Sequence, residues 1–366
     1  PTIVGVTPTA DPAETTDVQG VEQSKEVTFK PGKATVNGVE KEVPLKTDSF
    51  TLLDENGQPA TSVPAKNPAG DIIGTYTLKV VDGKATAVFT PTDKTYAGEV
   101  EPVTIQAKDT NGTPVTTTYT PNIVGVTPTA EPAETTDIQG KTQNGTPTFT
   151  PGNPEVPMDD EVPATFEDGS TTKTVEGVGK FTVAADGTVT FVPEPNFVGT
   201  APAVTVVRED KNGTKVSTTY TPNIVGVTPT ATPDESTGVQ GETQEGTVSF
   251  APGETTIGGE KKSVPIKANS AKLLNADGSE ATGPVDALDE KGNKVGEYTI
   301  DPATNKVTFT PTDKTYTGKV TPAKVQAEDK NGTKVNTTYT PHIVGVTPTA
   351  TPAESSGIQG EVQDGT

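Results

Sequence analysis

One octapeptide, Ile-Val-Gly-Val-Thr-Pro-Thr-Ala, begins at Ile3, Ile123, Ile224 and Ile343, at spacings of 120, 101 and 119 residues. This recurrence decides what the chain can fold into. Solenoid repeats seldom exceed about 50 residues, whereas units of this length have the size of autonomous domains. The sequence therefore divides into a long module at 1–122, a short one at 123–223, a second long one at 224–342, and residues 343–366 as the start of a fourth. Pro1 and Thr366 both fall inside the repeated stretch, so both ends are expected to be cuts in a longer protein.

Each unit passes through the same landmarks. Gln19-Gly20, Gln139-Gly140, Gln240-Gly241 and Gln359-Gly360 come first, then Phe29, Phe149 and Phe250, each shortly before a Pro-Gly pair. Phe89, Phe191 and Phe309 come late, followed by Tyr96, Phe197 and Tyr316. An Asp-x-Asn-Gly sequence at Asp109, Asp210 and Asp329 precedes a closing Tyr119, Tyr220 or Tyr339. Phe29 to Phe89 is 60 residues and Phe250 to Phe309 is 59, against 42 from Phe149 to Phe191. The long modules thus carry an insertion, placed by the sequence at residues 36–53 and 257–274.

Strand signals dominate. Residues 76–81 and 84–89 flank Asp82-Gly83, a pair suited to a tight turn with positive φ. Phe181 and Val183 against Val189 and Phe191 alternate with a period of two around Asp186-Gly187, as a half-buried hairpin requires. A second hairpin turns at Asn111-Gly112 and again at Asn212-Gly213, between runs of Val and Thr. No segment shows a helical period of comparable length, and Pro and Gly recur too often to allow one. The fold expected is all-β: tandem antiparallel β-sandwich modules of about seven strands, Ig-like in general architecture and arranged end to end, with a small partly open barrel as the alternative. Residues 123–126 are expected to pack on a sheet at the seam, leaving 127–135, with Pro128 and Pro132, as a stiff connector.

Composition narrows the function. Lys plus Arg total 28 against 49 Asp plus Glu, a net charge of −21, and Arg208 is the sole arginine. Nucleic-acid binding needs clustered cations, so it is excluded, as is docking on an anionic membrane. No apolar run approaches the 18 or so residues of a spanning helix, so no membrane insertion is expected. There is no cysteine, hence no disulfide and no thiolate metal site, and a secreted protein so built must find its rigidity elsewhere. Apolar residues are only 30 % of the chain, which suits several thin cores rather than one large one.

Candidate sites are few, and none is assigned as catalytic, cofactor-binding or metal-binding. The only histidine, His342, stands where other copies have Asn122 and Asn223 and reads as a surface residue. No nucleophile–base cluster or phosphate loop accompanies it, so the chain is read as no enzyme. The Asp109, Asp210 and Asp329 turns resemble the opening of a calcium loop but lack its closing glutamate, and Asx hydrogen bonding accounts for them. A Lys–Asn or Lys–Asp cross-link has no lysine position common to all three modules. Lys94 and Lys314, or Lys46 and Lys267, would restrict one to the long modules. The pairs Gln19/Gln23, Gln139/Gln143, Gln240/Gln244 and Gln359/Gln363 suit either a Thr–Gln ester or amide hydrogen bonds to loop backbone near the seam, the second being favoured.

Several of these motifs are shared with a known family. Val227-Thr-Pro-Thr-Ala followed by Gly241, the stretch from Ile138-Gln-Gly140 through Phe149-Thr-Pro-Gly152, Phe191-Val-Pro-x-x-x-Phe197-x-Gly199, and Asp210-Lys-Asn-Gly-Thr with Thr-Tyr-Thr-Pro222 together resemble the CshA-type fibril repeat of streptococcal and other Gram-positive surface proteins. The resemblance covers essentially the whole chain. It implies an extracellular, cell-wall-anchored adhesin whose repeats form fibrils beneath a non-repetitive N-terminal head, with host-matrix or microbial partners held by that head. The partners expected of the repeats themselves are adjacent repeats. The alternative is that a sheet face or the insertion binds a matrix protein or glycan, although Trp is absent and aromatics are sparse.

Overall fold

The computed structural model describes residues 1–365, in which strands and turns account for all regular structure. Among the described residues, no helix is long and apolar enough to cross a membrane. Each module is two sheets packed face to face. In module one, Gln23–Val27, Lys84–Pro91, Ile72–Val81 and Ser62–Lys66 form one sheet in that order. The other centres on Pro114–Val124 and Val103–Lys108 and continues to Thr51–Leu53. Modules two and three repeat both sheets, with Lys215–Val225 and Lys334–Val344 as their long closing strands.

The alternation read from the sequence places the cores. Phe181, Val183, Val189 and Phe191 are buried while Lys180 and Thr182, on either side of Phe181, face water. Three aromatic rings meet in each core, one from each strand of the first hairpin and one from the closing strand. Tyr76 lies 5.9 Å from Phe89 and 6.0 Å from Tyr119, and Tyr298 lies 5.7 Å from Phe309 and 6.2 Å from Tyr339. Phe181 takes the central place in module two, at 4.6 Å from Phe191 and 6.5 Å from Tyr220. Such tilted and edge-on pairs add to the area they bury, which compensates for a thin aliphatic content.

The strand pairing corrects four details of the sequence reading. The Asp82-Gly83 turn has two residues, both with positive φ (51° and 74°), but the Asp186-Gly187 turn sits in a longer loop between Val183 and Val189. The insertion is split. Phe29 to Leu45 covers 16 positions where Phe149 to Met158 covers 9, because the long modules add a hairpin, Gly32–Val36 with Val39–Val43 and Gly253–Ile257 with Glu260–Val264. The rest is added after Leu53 and Leu274, whose strands belong to the common sheet.

The segment at 127–135 is not a bare connector. Thr129–Glu131 pairs with Thr148–Thr150, and Ala133–Ile138 lies in the main sheet beside Lys215–Val225. Only residues 125–128 separate the closing strand of one module from the first strand of the next. Lastly, one pair per module is parallel. Ala13–Val18 runs alongside the closing strand from Tyr119 to Val124, as do Ala133–Ile138 and Asp234–Val239 in their modules. Strands that run side by side in one direction carry the chain in at one end of a module and out at the other. End-to-end succession follows from this pairing.

Candidate functional site at the module seams

The polar side chains that repeat in the sequence gather at the two ends of each module. At the exit end, Gln19 follows the parallel strand and holds the departing chain. Its N–H donates to the Val124 carbonyl (2.8 Å), its Oε1 accepts the Val126 N–H (3.1 Å), and its Nε2 donates to the Lys94 carbonyl (3.0 Å). Gln139 repeats all three with Val225 (2.9 Å), Val227 (3.3 Å) and Pro195 (3.0 Å). Gln240 repeats the first two with Val344 and Val346, each at 2.9 Å. The octapeptide is therefore written into the exit end: its second valine buries against the module that Gln19 or Gln139 belongs to.

At the entry end stands the Asp-x-Asn-Gly turn. Asp210 is fully buried, and its Oδ1 accepts the N–H groups of Asn212 and Thr214, both at 2.9 Å. Asp109 and Asp329 bind their own turns in the same way. With the turn fixed, Asn212 points back across the seam and its Nδ2 donates to the carbonyl of Gln19 at 2.8 Å. Asn331 reaches Gln139 at the next seam at 2.9 Å. At these two seams the glycine after the glutamine has two reasons to be glycine. Gly20 and Gly140 have φ of +83° and +82°, and a Cβ there would lie 1.9 Å and 2.1 Å from the Oδ1 of Asn212 and Asn331.

The Pro-Gly pair completes the entry end. A Cβ on Gly152 would sit 2.4 Å from the Thr127 carbonyl oxygen, so backbone packs on backbone where the connector enters module two. Gly32 and Gly253 meet Thr7 and Thr228 in the same way, at 2.8 Å. The short connector is thus gripped by the preceding module at Val126 and by the following one at Thr127.

Gln23 and its equivalents form a buried bridge inside each module. The Thr15 hydroxyl donates to Gln23 Oε1 (2.6 Å) and meets the Tyr119 hydroxyl (2.8 Å), while Gln23 Nε2 donates to the Asn122 carbonyl (3.0 Å). Thr135, Gln143 and Tyr220 repeat it, and so do Ser236, Gln244 and Tyr339. Both atoms of each carboxamide are engaged, but with a hydroxyl and a strand carbonyl inside the module; the bonds to backbone near the seam expected of both glutamines are made by Gln19, Gln139 and Gln240. Each bridge ties a strand of one sheet to two of the other. Burial pushes the phenols of Tyr119, Tyr220 and Tyr339 up, and those of Tyr76 and Tyr298 further.

The remaining candidates stay apart. His342 is half exposed, with Nε2 3.3 Å from Glu235 Oε2. Lys46 and Lys267 pair with Asp48 and Glu328 on the surface, and Lys94 and Lys314 are exposed. Among the described residues, no three His, Cys, Asp or Glu side chains come together as metal ligands would. The seam role of Asn212 and Asn331 was not read from the sequence. Its one signal was an asparagine kept at the same turn position in all three copies, and the carbonyl it binds lies 193 or 192 residues away.

A family model described as the surface adhesin CshA repetitive domain matches the chain three times, at residues 5–123, 125–224 and 226–343. The chain belongs to this family. As CshA repeats, its modules are non-catalytic units of an extracellular surface adhesin, in tandem with their own kind. No curated protein matches the chain. Among solved structures, a three-domain titin fragment, I67–I69, overlays with a TM-score of 0.33 at 12 % identity, covering 93 % of this chain and 100 % of its own. Mouse cadherin-23 EC22–24 gives 0.32 at 14 %, covering 93 % and 100 %. Protocadherin gammaB7 EC3–6 gives 0.35 at 11 %, covering 92 % and 74 %. Overlays this loose add nothing to the fold, which rests on the strand pairing.

Proposed function

We propose that these CshA repeats are the stalk of a wall-anchored fibrillar adhesin: a stiff head-to-tail rod that carries an adhesive head away from the cell. The observation that carries this reading is the seam contact made twice by equivalent residues, Asn212 on Gln19 and Asn331 on Gln139, across a connector of four residues. A spacer needs a joint that repeats without bending. A flexible linker would leave the asparagine, the glycine and the glutamine without a reason to recur together. The charge of −21 supports the same role by keeping neighbouring stalks apart. We take the modules to close at Val124, Val225 and Val344, where the sheet pairing stops, two residues beyond the divisions at 122, 223 and 342.

Small-angle scattering tests the stalk. Closing strands of 11 residues, rising about 3.3 Å each, give modules of roughly 36 Å and a rod of somewhat over 100 Å. A maximum dimension near that value with a narrow cross-section is expected, and one near a single module would overturn the reading. A second reading makes module one adhesive itself, through the groove of about 560 Å³ that Asp54, Asn56, Lys66, Asn67 and Glu101 help to line. Retention of this chain on immobilised matrix proteins or glycans, lost when Asn56 and Asn67 are replaced by alanine, would favour it over a passive spacer.

A further inference from the structure

The hairpin that distinguishes the long modules from the short one lies at the entry end, against the module before it. In module three, Ile257 and Val264 pack with Ile138 and Val227 of the seam, and Lys262 Nζ lies 2.9 Å from Asp137 Oδ1. Val264 is only 5 % exposed there. The hairpin registers equate Val36, Lys41 and Val43 of module one with Ile257, Lys262 and Val264. In module one these residues have no such neighbour: Lys41 is exposed, Val43 is half-buried, and Val39 at the turn is 58 % exposed. Asn111 beside them is exposed, where Asn212 is 7 % exposed.

We infer that the inserted hairpin is a docking element for the exit end of a preceding repeat, and that Val36, Val43, Lys41 and Asn111 form an open copy of that surface. Its occupant is the exit end of another repeat of this family bearing Asp-Val-Gln-Gly or Asp-Ile-Gln-Gly, as residues 17–20 and 137–140 do. The complementarity is that of the occupied seam. The valines cover the residue before glutamine, Lys41 faces the aspartate, and Asn111 donates to the glutamine carbonyl. An exit end with Gly238 at the aspartate position, as in module three, offers Lys41 no anion and is the poorer occupant. The inference rests on the stalk reading and deepens it, because a long module then makes a second, apolar and ionic contact beside the asparagine that short modules also use.

The test adds a copy of residues 123–221 directly before Pro1, so that Pro1-Thr2-Ile3-Val4 completes its closing strand as Pro222-Asn223-Ile224-Val225 does in module two. Hydrogen exchange of the amides in residues 32–43 is expected to slow at least about fivefold relative to the original chain, since docking opposes local opening. Lys41→Glu in the extended chain should reverse most of that protection. In the unextended chain, Asp137→Asn combined with Ile138→Ser should speed exchange of residues 253–264 by a similar factor. Unchanged exchange of residues 32–43 on extension, or of residues 253–264 in the double variant, overturns the inference. Scattering from the extended chain keeps the two readings apart. A rod longer by one module with an unprotected hairpin removes only the docking surface, whereas a compact particle removes the stalk.

Discussion

Replacing Asn212 isolates the seam from the modules it joins. The side chain is 7 % exposed, and its one cross-seam bond, 2.8 Å to the Gln19 carbonyl, has no substitute once the amide is gone. Its own turn does not depend on the amide, because Asp210 binds the backbone N–H groups, and Asn212 is not among the residues held at positive φ. Truncation to alanine loses a hydrogen bond to a buried carbonyl, about 1–2 kcal/mol. That raises the fraction of open seams about 5–30-fold. Asn212→Asp keeps the shape but sets a carboxylate against the carbonyl, and should open the seam further. The chain lacks cysteine, so one engineered cysteine on the surface of module one and one on module two give a clean single-molecule energy-transfer pair. The expected result is a new low-transfer population for alanine and a larger one for aspartate. Asn331→Ala should leave this distance alone and act at the next seam. Asn111→Ala, at the exposed turn of module one, is the control. If Asn212→Ala and Asn212→Asp match the parent, or if Asn111→Ala has the same effect as Asn212→Ala, the seam bond is not what fixes the joint.

Three further outcomes are expected. Gly152→Ala drives a Cβ to 2.4 Å from the Thr127 carbonyl and should destabilise module two by about 1–3 kcal/mol in thermal melts; a neutral result would mean that the entry backbone can move aside. Tyr220→Phe removes the 2.6 Å contact to Thr135 and should cost about 1 kcal/mol in urea unfolding, leaving Phe181 packing intact. Stability should be flat from neutral pH to about 10 and then fall: the buried phenols titrate higher in the folded chain than in the unfolded one, so the unfolded state gives up its protons first. Urea midpoints at pH 8, 10 and 11 would show it, and a constant midpoint through pH 11 would contradict the burial of these tyrosines.

The cores were the most legible part of the protein. Phe181, Val183, Val189 and Phe191 alternate because a half-buried strand offers every second side chain to the opposite sheet, and that period survives in a single sequence. Residues 127–135 misled because Pro128 and Pro132 look like linker chemistry. Yet Pro132 only marks where the chain passes from the ribbon at Thr129–Glu131 into the main sheet at Ala133–Ile138. The insertion misled in its extent, since one length difference is the sum of a seam hairpin and a separate enlargement after Leu53. The seam residues were visible as repeats but not as partners.

By itself the sequence determined the modular organisation, the all-β class and the family. Each of these follows from local pattern or composition, which a linear string preserves. Tertiary structure alone decided that Ala133–Ile138 and its equivalents run parallel to the closing strands, and with it that entry and exit lie at opposite ends. It also decided that Asn212 meets Gln19 and that Lys262 meets Asp137. Those contacts join residues far apart in the chain, and their partners are fixed by strand order and direction, which no local propensity encodes.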